Sequence, residues 1–258
     1  MPLLIVLHGG GGDGRGMEKL TYGGLNLLAD AEGFAVAYPD GIEKHWNDGR
    51  GGVAERAARE DIPDVGFISA LIDGLVSSGS VDPSRVYAAG ISNGGMMSFR
   101  LACQLSEKIA AVAIVSSSMP LAWASNCGPK KPVSVLILGG TKDPLVPYEG
   151  GFVKVFRKTR GEVIGVMRAA EIWAGLNGCR GPRNRDLADP NPGDSLSIKQ
   201  YAWDSGREDS EVILYEIQGG GHTWPGGRQY LPEFIVGKTC FDLDANREIW
   251  NFFKRHHR

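Results

Sequence analysis

The reading of the chain turns on one stretch, Arg85-Val86-Tyr87-Ala88-Ala89-Gly90-Ile91-Ser92-Asn93-Gly94-Gly95-Met96-Met97-Ser98-Phe99-Arg100-Leu101-Ala102. Its opening has strand propensity and its close favours a helix. The hinge between them spells Gly-x-Ser-x-Gly. A serine on so sharp a strand-to-helix turn is held in a strained backbone conformation, with glycines on either side to keep neighbouring chain clear. Ser92 Oγ is then expected at the C-terminal edge of a sheet. The Asn93 N–H, at the start of the helix, would point at negative charge developing on a bound carbonyl oxygen. Small residues packing an ordinary turn would give the same letters, so the rest of the chain has to decide.

Working outward, residues 3–7, 34–38, 111–115 and 133–138 are short apolar runs, the pattern of strands buried on both faces of a parallel sheet. Two further strands read over 197–203 and 211–217. Helices read over 18–31, stopped by Gly33, and from Pro63, with Val65, Ile68, Leu71, Ile72 and Leu75 at helical spacing. Two more read over 166–177 and from about 242 to 253. Residues 45–52 (His-Trp-Asn-Asp-Gly-Arg-Gly-Gly) are an irregular loop. Residues 180–195, rich in Pro, Asn, Asp and Gly, read as a surface loop. Alternating strands and helices predict an α/β fold, a mostly parallel central sheet with helices on both faces, in one domain over 1–258. No long lid segment stands out, which predicts an open cleft.

Composition narrows the partners. A formal net charge of -2 speaks against nucleic acid or an anionic membrane surface. No apolar run is long enough to span a bilayer. No basic segment followed by an apolar one marks a leader, and Met1 runs straight into a strand, so upstream sequence is expected to be removed or absent. Cys103, Cys127, Cys179 and Cys240 form neither a CxxC pair nor a metal-ligand spacing. Their spacing leaves both two disulfides and four buried thiols open.

A serine hydroxyl needs a base. Of the five histidines, His256 and His257 read as a solvated tail. His222 stands in Gly219-Gly220-Gly221-His222-Thr223-Trp224-Pro225-Gly226-Gly227, directly after the last strand. An α/β-hydrolase carries its general base there, in the chain order serine, acid, histidine. The acid should follow the 133–138 strand, which makes Asp143 the candidate. Its task is to accept a hydrogen bond from His222 Nδ1 and stabilise the imidazolium. His8-Gly9-Gly10-Gly11-Gly12 resembles the glycine loop that gives the second oxyanion N–H. Gly10 is favoured for that donor, Gly11 comes next, and His8 orients the loop. Trp46, Tyr148 and Trp224, in loops beside these residues, are the candidate aromatic substrate walls, each with loop packing as its alternative.

Two rival readings bear on the same residues, and a third concerns the 180–195 loop. Gly9, Gly11 and Gly14 fit G-x-G-x-x-G, and Asp40 ends the next strand, as in a nicotinamide-dependent oxidoreductase. A helix starting near Met17 lies too far along for a pyrophosphate, and Ser92, Asp143 and His222 are left without a role. A silent binding protein on the same scaffold would not need a complete triad. Asp186, Asp189, Asn191 and Asp194 do not match a calcium loop.

With these residues in view, the chain resembles the polyhydroxybutyrate depolymerase-like esterases, which group with the feruloyl and acetylxylan esterases of the carbohydrate esterase family 1 type. The resemblance runs through Leu7-His8-Gly9-Gly10-Gly11, Tyr38-Pro39-Asp40-Gly41, Trp46-Asn47-Asp48-Gly49-Arg50 and Asp64-Val65-Gly66-Phe67. It continues in Ser92-Asn93-Gly94-Gly95-Met96-Met97, Asp143-Pro144-Leu145-Val146-Pro147-Tyr148 and Gly221-His222-Thr223-Trp224-Pro225-Gly226-Gly227. It implies a cofactor-free esterase with Ser92, Asp143 and His222 as triad, and Asn93 with the glycine loop as oxyanion hole. It implies Cys103–Cys127 and Cys179–Cys240 disulfides and export to an oxidising compartment, with the cytoplasm as the alternative. The substrates it implies are polyhydroxyalkanoates, feruloylated or acetylated polysaccharides, or aromatic polyesters. Transfer of the acyl group to another alcohol is open to the same residues.

Overall fold

A computed structural model describes residues 1–51, 55–155 and 158–258. The last residue of the 45–52 loop, Gly52, lies outside the described residues. In chain order the elements are β1 (Leu3–Leu7), α1 (Gly14–Leu20), α2 (Gly24–Glu32), β2 (Ala35–Ala37), α3 (Arg56–Arg59), α4 (Asp64–Ser77), β3 (Val86–Ile91), α5 (Asn93–Gln104) and β4 (Ala111–Val115). They continue with β5 (Ser134–Gly140), β6 (Gly150–Val155), β7 (Lys158–Ile164), α6 (Val166–Asn177), β8 (Arg180–Asp186), β9 (Ser197–Asp204), β10 (Val212–Gln218), α7 (Glu233–Val236) and α8 (Ala245–Phe253).

Eight strands form the main sheet in the order β2-β1-β3-β4-β5-β10-β9-β8. Neighbours from β2 to β10 pair parallel, and β9 and β8 add antiparallel. Side chains alternate across a strand, so each apolar run feeds two cores. Leu3, Ile5, Leu7, Val112, Ile114, Val135 and Ile137 join the core that includes Ile68 and Ile72 of α4, Phe99 of α5 and Trp173 of α6. Leu4, Val6, Tyr87, Ala113, Val115, Leu136 and Leu138 join the opposite core, with Met17 of α1, Leu25 of α2, and Ile249 and Phe253 of α8. Burial on both faces is why these strands read as unbroken hydrophobic runs.

Several expectations need correction. The helix read over 18–31 is two helices, because Tyr22 and Gly23 take φ of 53° and 66° and break the hydrogen-bond ladder between α1 and α2. The loop read over 180–195 begins with the edge strand β8, whose residues are all exposed. An exposed edge keeps its charges, so no apolar pattern marks it. The antiparallel pair β6–β7 stands apart from the main sheet and was not foreseen. Of the two implied disulfides, Cys103–Cys127 is formed. Cys179 and Cys240 are separate thiols: Cys179 lies against Ser210, just before β10, and Cys240 lies beyond that strand's end. The length of a strand exceeds the reach of a disulfide.

In the tail His257 is exposed, as expected, but His256 and Arg258 are docked. The His256 side chain is 9% exposed and meets Ser134 Oγ at 3.2 Å and Glu211 Oε1 at 3.1 Å. Arg258 donates from Nε to Ile109 O at 2.9 Å and from Nη1 to Pro132 O at 2.6 Å, and burial pulls its pKa down to about 10.

Candidate active site

Ser92 sits between β3 and α5 with φ 56° and ψ -120°. The flanking glycines are demanded by close approach. A Cβ on Gly90 would fall 2.4 Å from the Gly94 carbonyl, and one on Gly94 would fall 2.3 Å from Leu7 O. Those contacts press α5 onto β1 and β3 and force the tight turn. The Ser92 N–H donates to Val115 O at 3.0 Å, and its carbonyl accepts from Ser117 Oγ at 2.8 Å. The strained residue is thus pinned from β4.

The glycine loop follows β1. Gly11 N–H donates to Lys44 O at 2.8 Å and Gly12 N–H to Gly9 O at 3.0 Å. Among the described residues, the N–H groups of Gly10 and Asn93 have no acceptor. The two lie close: a Cβ built on Gly10 would stand 3.8 Å from Asn93 Cβ. His8 is held in one tautomer. Its Nδ1–H donates to Gly9 O at 2.9 Å, and its Nε2 accepts from Gly41 N–H at 3.0 Å. Burial lowers its pKa, only partly offset by the bond to Gly9, so His8 is a neutral strut with no free nitrogen.

Behind the elbow lies a buried polar network. Asn93 Oδ1 accepts from Trp46 N–H at 2.8 Å, and Asn93 Nδ2 donates to Trp46 O at 3.0 Å and Asp48 Oδ2 at 2.6 Å. The same Asp48 oxygen takes Arg50 Nε at 2.8 Å. Asn47 N–H donates to Asp64 Oδ2 at 2.6 Å, and Arg100 Nη1 to Asn47 O at 2.6 Å. Buried polar groups are costly unless each finds a partner, and these do. Asp48 and Asp64 stand in stretches that carry the family resemblance, but nothing local to them or to Arg100 assigns this bracing role.

Across the cleft, Asp143 stands in the loop after β5 and His222 in the loop after β10. His222 Nδ1–H donates to Asp143 Oδ2 at 2.7 Å, and both side chains are nearly fully buried. Asp143 Oδ1 accepts from the N–H groups of Leu145 and Val146, each at 2.8 Å, which fixes the carboxylate. Since the carboxylate only accepts, His222 Nδ1 carries a proton, and in the neutral ring that tautomer leaves the lone pair on Nε2. Ser116 was not foreseen. Its hydroxyl donates to Thr223 O at 2.6 Å and accepts from Thr223 N–H at 3.1 Å, tying the His222 loop to the end of β4.

Ser92, His222, Asn93 and Gly10 border one cleft of about 1020 Å³. Ser92 Oγ forms no hydrogen bond to His222 in this arrangement. One wall is the β6–β7 hairpin, whose Arg160 pairs with Glu55. The other is an arm over residues 228–240 that presents Tyr230, Leu231, Phe234 and Ile235. The cleft is therefore walled on two sides, by segments that carried no recognisable lid pattern.

The three expected aromatic walls lie elsewhere. Trp46 is 2% exposed, packed on His8 with ring centroids 4.9 Å apart, and its Nε1 donates to His8 O at 3.0 Å. Trp224 is wholly buried, with Nε1 donating to Asn246 Oδ1 at 3.0 Å. Tyr148 covers Gly139 and donates to Glu216 Oε2 at 2.6 Å. Each indole N–H or phenol O–H finds a polar partner inside the protein, so the ring turns inward and knits loops together.

The rival dinucleotide site also meets its test here. Helix α1 starts at Gly14, nearer the glycine loop than expected. Its N-terminus is already occupied: Asp13 caps Gly16 N–H at 2.8 Å, and Asp40 Oδ1 accepts from Gly14 N–H at 2.7 Å. Two carboxylates at that position oppose a pyrophosphate.

The fold is that of the α/β-hydrolases. It resembles the acetyl xylan esterase from Aspergillus awamori, with a TM-score of 0.55 and 17% identity over 86% of this chain and 84% of that one. The chain is a carboxylic ester hydrolase, and it belongs to the esterase PHB depolymerase family, whose model matches residues 1–146. Among its relatives is the putative esterase NocK of Nocardia uniformis subsp. tsuyamanensis, 34% identical over 95% of this chain and 71% of that protein. Feruloyl esterase B of Piromyces equi is 32% identical over 88% of this chain, which spans 40% of that longer protein.

Proposed function

We propose that residues 1–258 form one catalytic domain that hydrolyses carboxylic esters through an acyl-enzyme on Ser92. The substrates proposed are acyl groups on polysaccharide, of the feruloyl or acetyl type. The observation that carries the reading is the Asp143–His222 hydrogen bond, with His222 facing the same cleft as the strained Ser92 and two unpartnered N–H groups. His222 Nε2 takes the Ser92 proton as Oγ attacks the ester carbonyl. The oxyanion gathers hydrogen bonds from Gly10 and Asn93 N–H. The imidazolium, steadied by Asp143, protonates the departing alkoxide. Water then enters by the same route, giving its proton to His222 and releasing the acid and the serine.

The Cys103–Cys127 disulfide supports work in an oxidising compartment outside the cytoplasm. Among the described residues, no helix is long and apolar enough to cross a membrane.

The test is Ser92→Ala against methyl ferulate and acetylated xylan. A folded variant should lose activity by on the order of 10⁵–10⁶-fold, and an alkyl phosphonate should label wild-type Ser92 stoichiometrically. Retention of more than a tenth of the wild-type rate would overturn the assignment.

A further inference from the structure

The cleft has one feature the acyl-transfer chemistry does not use. Phe234 is 87% exposed at its mouth, and Tyr230, also 38% exposed, lines the same wall. An apolar ring left in water at the edge of a cavity loses the benefit of burial unless something docks on it.

The arm that carries these rings is built onto the base. His222 N–H donates to Val236 O, and Gly221 N–H donates to Lys238 O at 2.9 Å. Gln229 staples the arm's two ends. Its Nε2 donates to Leu231 O at 2.7 Å and Gly237 O at 3.0 Å, while its Oε1 accepts from Thr239 N–H at 3.0 Å and Oγ1–H at 2.7 Å. Pro232, before α7, stiffens the middle. The rings are thus presented on a pre-formed platform rather than a loose loop. Burial, and after it the charge of Asp143, raise the pKa of the Tyr230 phenol.

The chemistry says which part of an ester meets that platform. The carbonyl oxygen must lie against Gly10 and Asn93. The ester oxygen must lie where His222 can hand it the proton taken from Ser92. The leaving alcohol therefore extends along the His222 side of the cleft, over the arm. We propose that Tyr230 and Phe234 form the leaving-alcohol subsite, and that they select alcohols with a flat or ring-shaped apolar face, an aryl ring or a sugar ring, over simple alkyl alcohols. The inference rests on the Ser92–His222 reading above.

Two substrate series test it. One holds the acyl group as acetate and varies the alcohol: ethyl acetate, phenyl acetate and acetylated xylobiose. The other holds methanol as the alcohol and varies the acyl group: methyl butyrate and methyl ferulate. Each variant is compared with wild type on the same ester, so intrinsic leaving-group reactivity cancels. Phe234→Ala should lower kcat/KM for phenyl acetate and acetylated xylobiose about fivefold more than for ethyl acetate, mostly through KM, with the methyl esters losing equally. Phe234→Leu, which keeps the apolar bulk without a ring face, should show the same bias. Phe152→Ala, an exposed ring on the hairpin that does not line the cleft, is the control and should change nothing. Phe234 variants whose losses follow the acyl group, or are equal on every alcohol, overturn the subsite even when Ser92→Ala is inactive. A Ser92→Ala enzyme that still cleaves these esters overturns the subsite and the mechanism together.

Discussion

The elbow side of the cleft and its base-side arm are built on opposite principles. The elbow side, which carries Asn93 and the glycine loop, is fastened by buried polar bonds through Asn93, Asp48, Asn47, Asp64 and His8. The base-side arm is fastened by backbone hydrogen bonds, by Gln229 and by Lys238, whose Nζ donates to Asp194 O at 2.9 Å, and its Phe234 ring faces outward. The difference follows from what each side must hold. Two N–H groups have to meet one oxygen atom to within a fraction of an ångström. A surface that meets the variable part of a substrate needs area more than precision.

Asn93→Ala should break the elbow side most. It leaves both backbone groups of Trp46 without partners and takes one donor from Asp48, which keeps Arg50, at a cost of about 3 kcal/mol. Calorimetry should show a melting temperature lower by roughly 6–12 °C. A shift under about 2 °C would mean that the polar network is not what supports this side. Gln229→Ala probes the arm. It should lower kcat/KM several-fold, roughly 1 kcal/mol in transition-state terms, with little change in melting temperature because Gln229 lies outside both cores. A global loss of stability like that of Asn93→Ala would erase the contrast.

The smallest effect concerns pH. Burial depresses the pKa of His8 in the folded protein below its value of 6.5 in the unfolded chain. The unfolded state then binds more protons, so the contribution of His8 is complete above pH 6.5 and is lost as pH falls from there through the folded-state pKa. Protonation puts a hydrogen on Nε2, where Gly41 N–H now donates. His8→Gln should flatten the stability–pH curve below pH 6.5. An unchanged slope in denaturant titrations at pH 5 and 7 would remove the histidine from the account.

The central strands and the chain order of Ser92, Asp143 and His222 were legible because they rest on local signals. Apolar runs such as 111–115 announce a strand buried on both faces, and glycines at 90 and 94 announce a close approach. What stayed hidden depends on partners far along the chain. Trp46 and Trp224 sit beside the candidate residues in sequence, but nothing local shows that His8 O and Asn246 Oδ1 draw their N–H groups inward. Tyr230 and Phe234 follow His222 closely, yet no apolar period marks a short arm whose rings face water. Cys179 and Cys240 made a plausible pair until β10 came between them.

The far margin of the sheet has a bearing on handling the protein at high concentration. Strand β8, Arg180-Gly181-Pro182-Arg183-Asn184-Arg185-Asp186, lies fully in water and ends the eight-stranded sheet. A free strand edge invites a neighbour's strand to add to it. Here Pro182 withholds a donor and three arginines repel a like strand laid alongside. At the opposite margin β2 is only three residues long, too short a ladder to recruit another molecule. Neither margin is a good template for fibrillar growth.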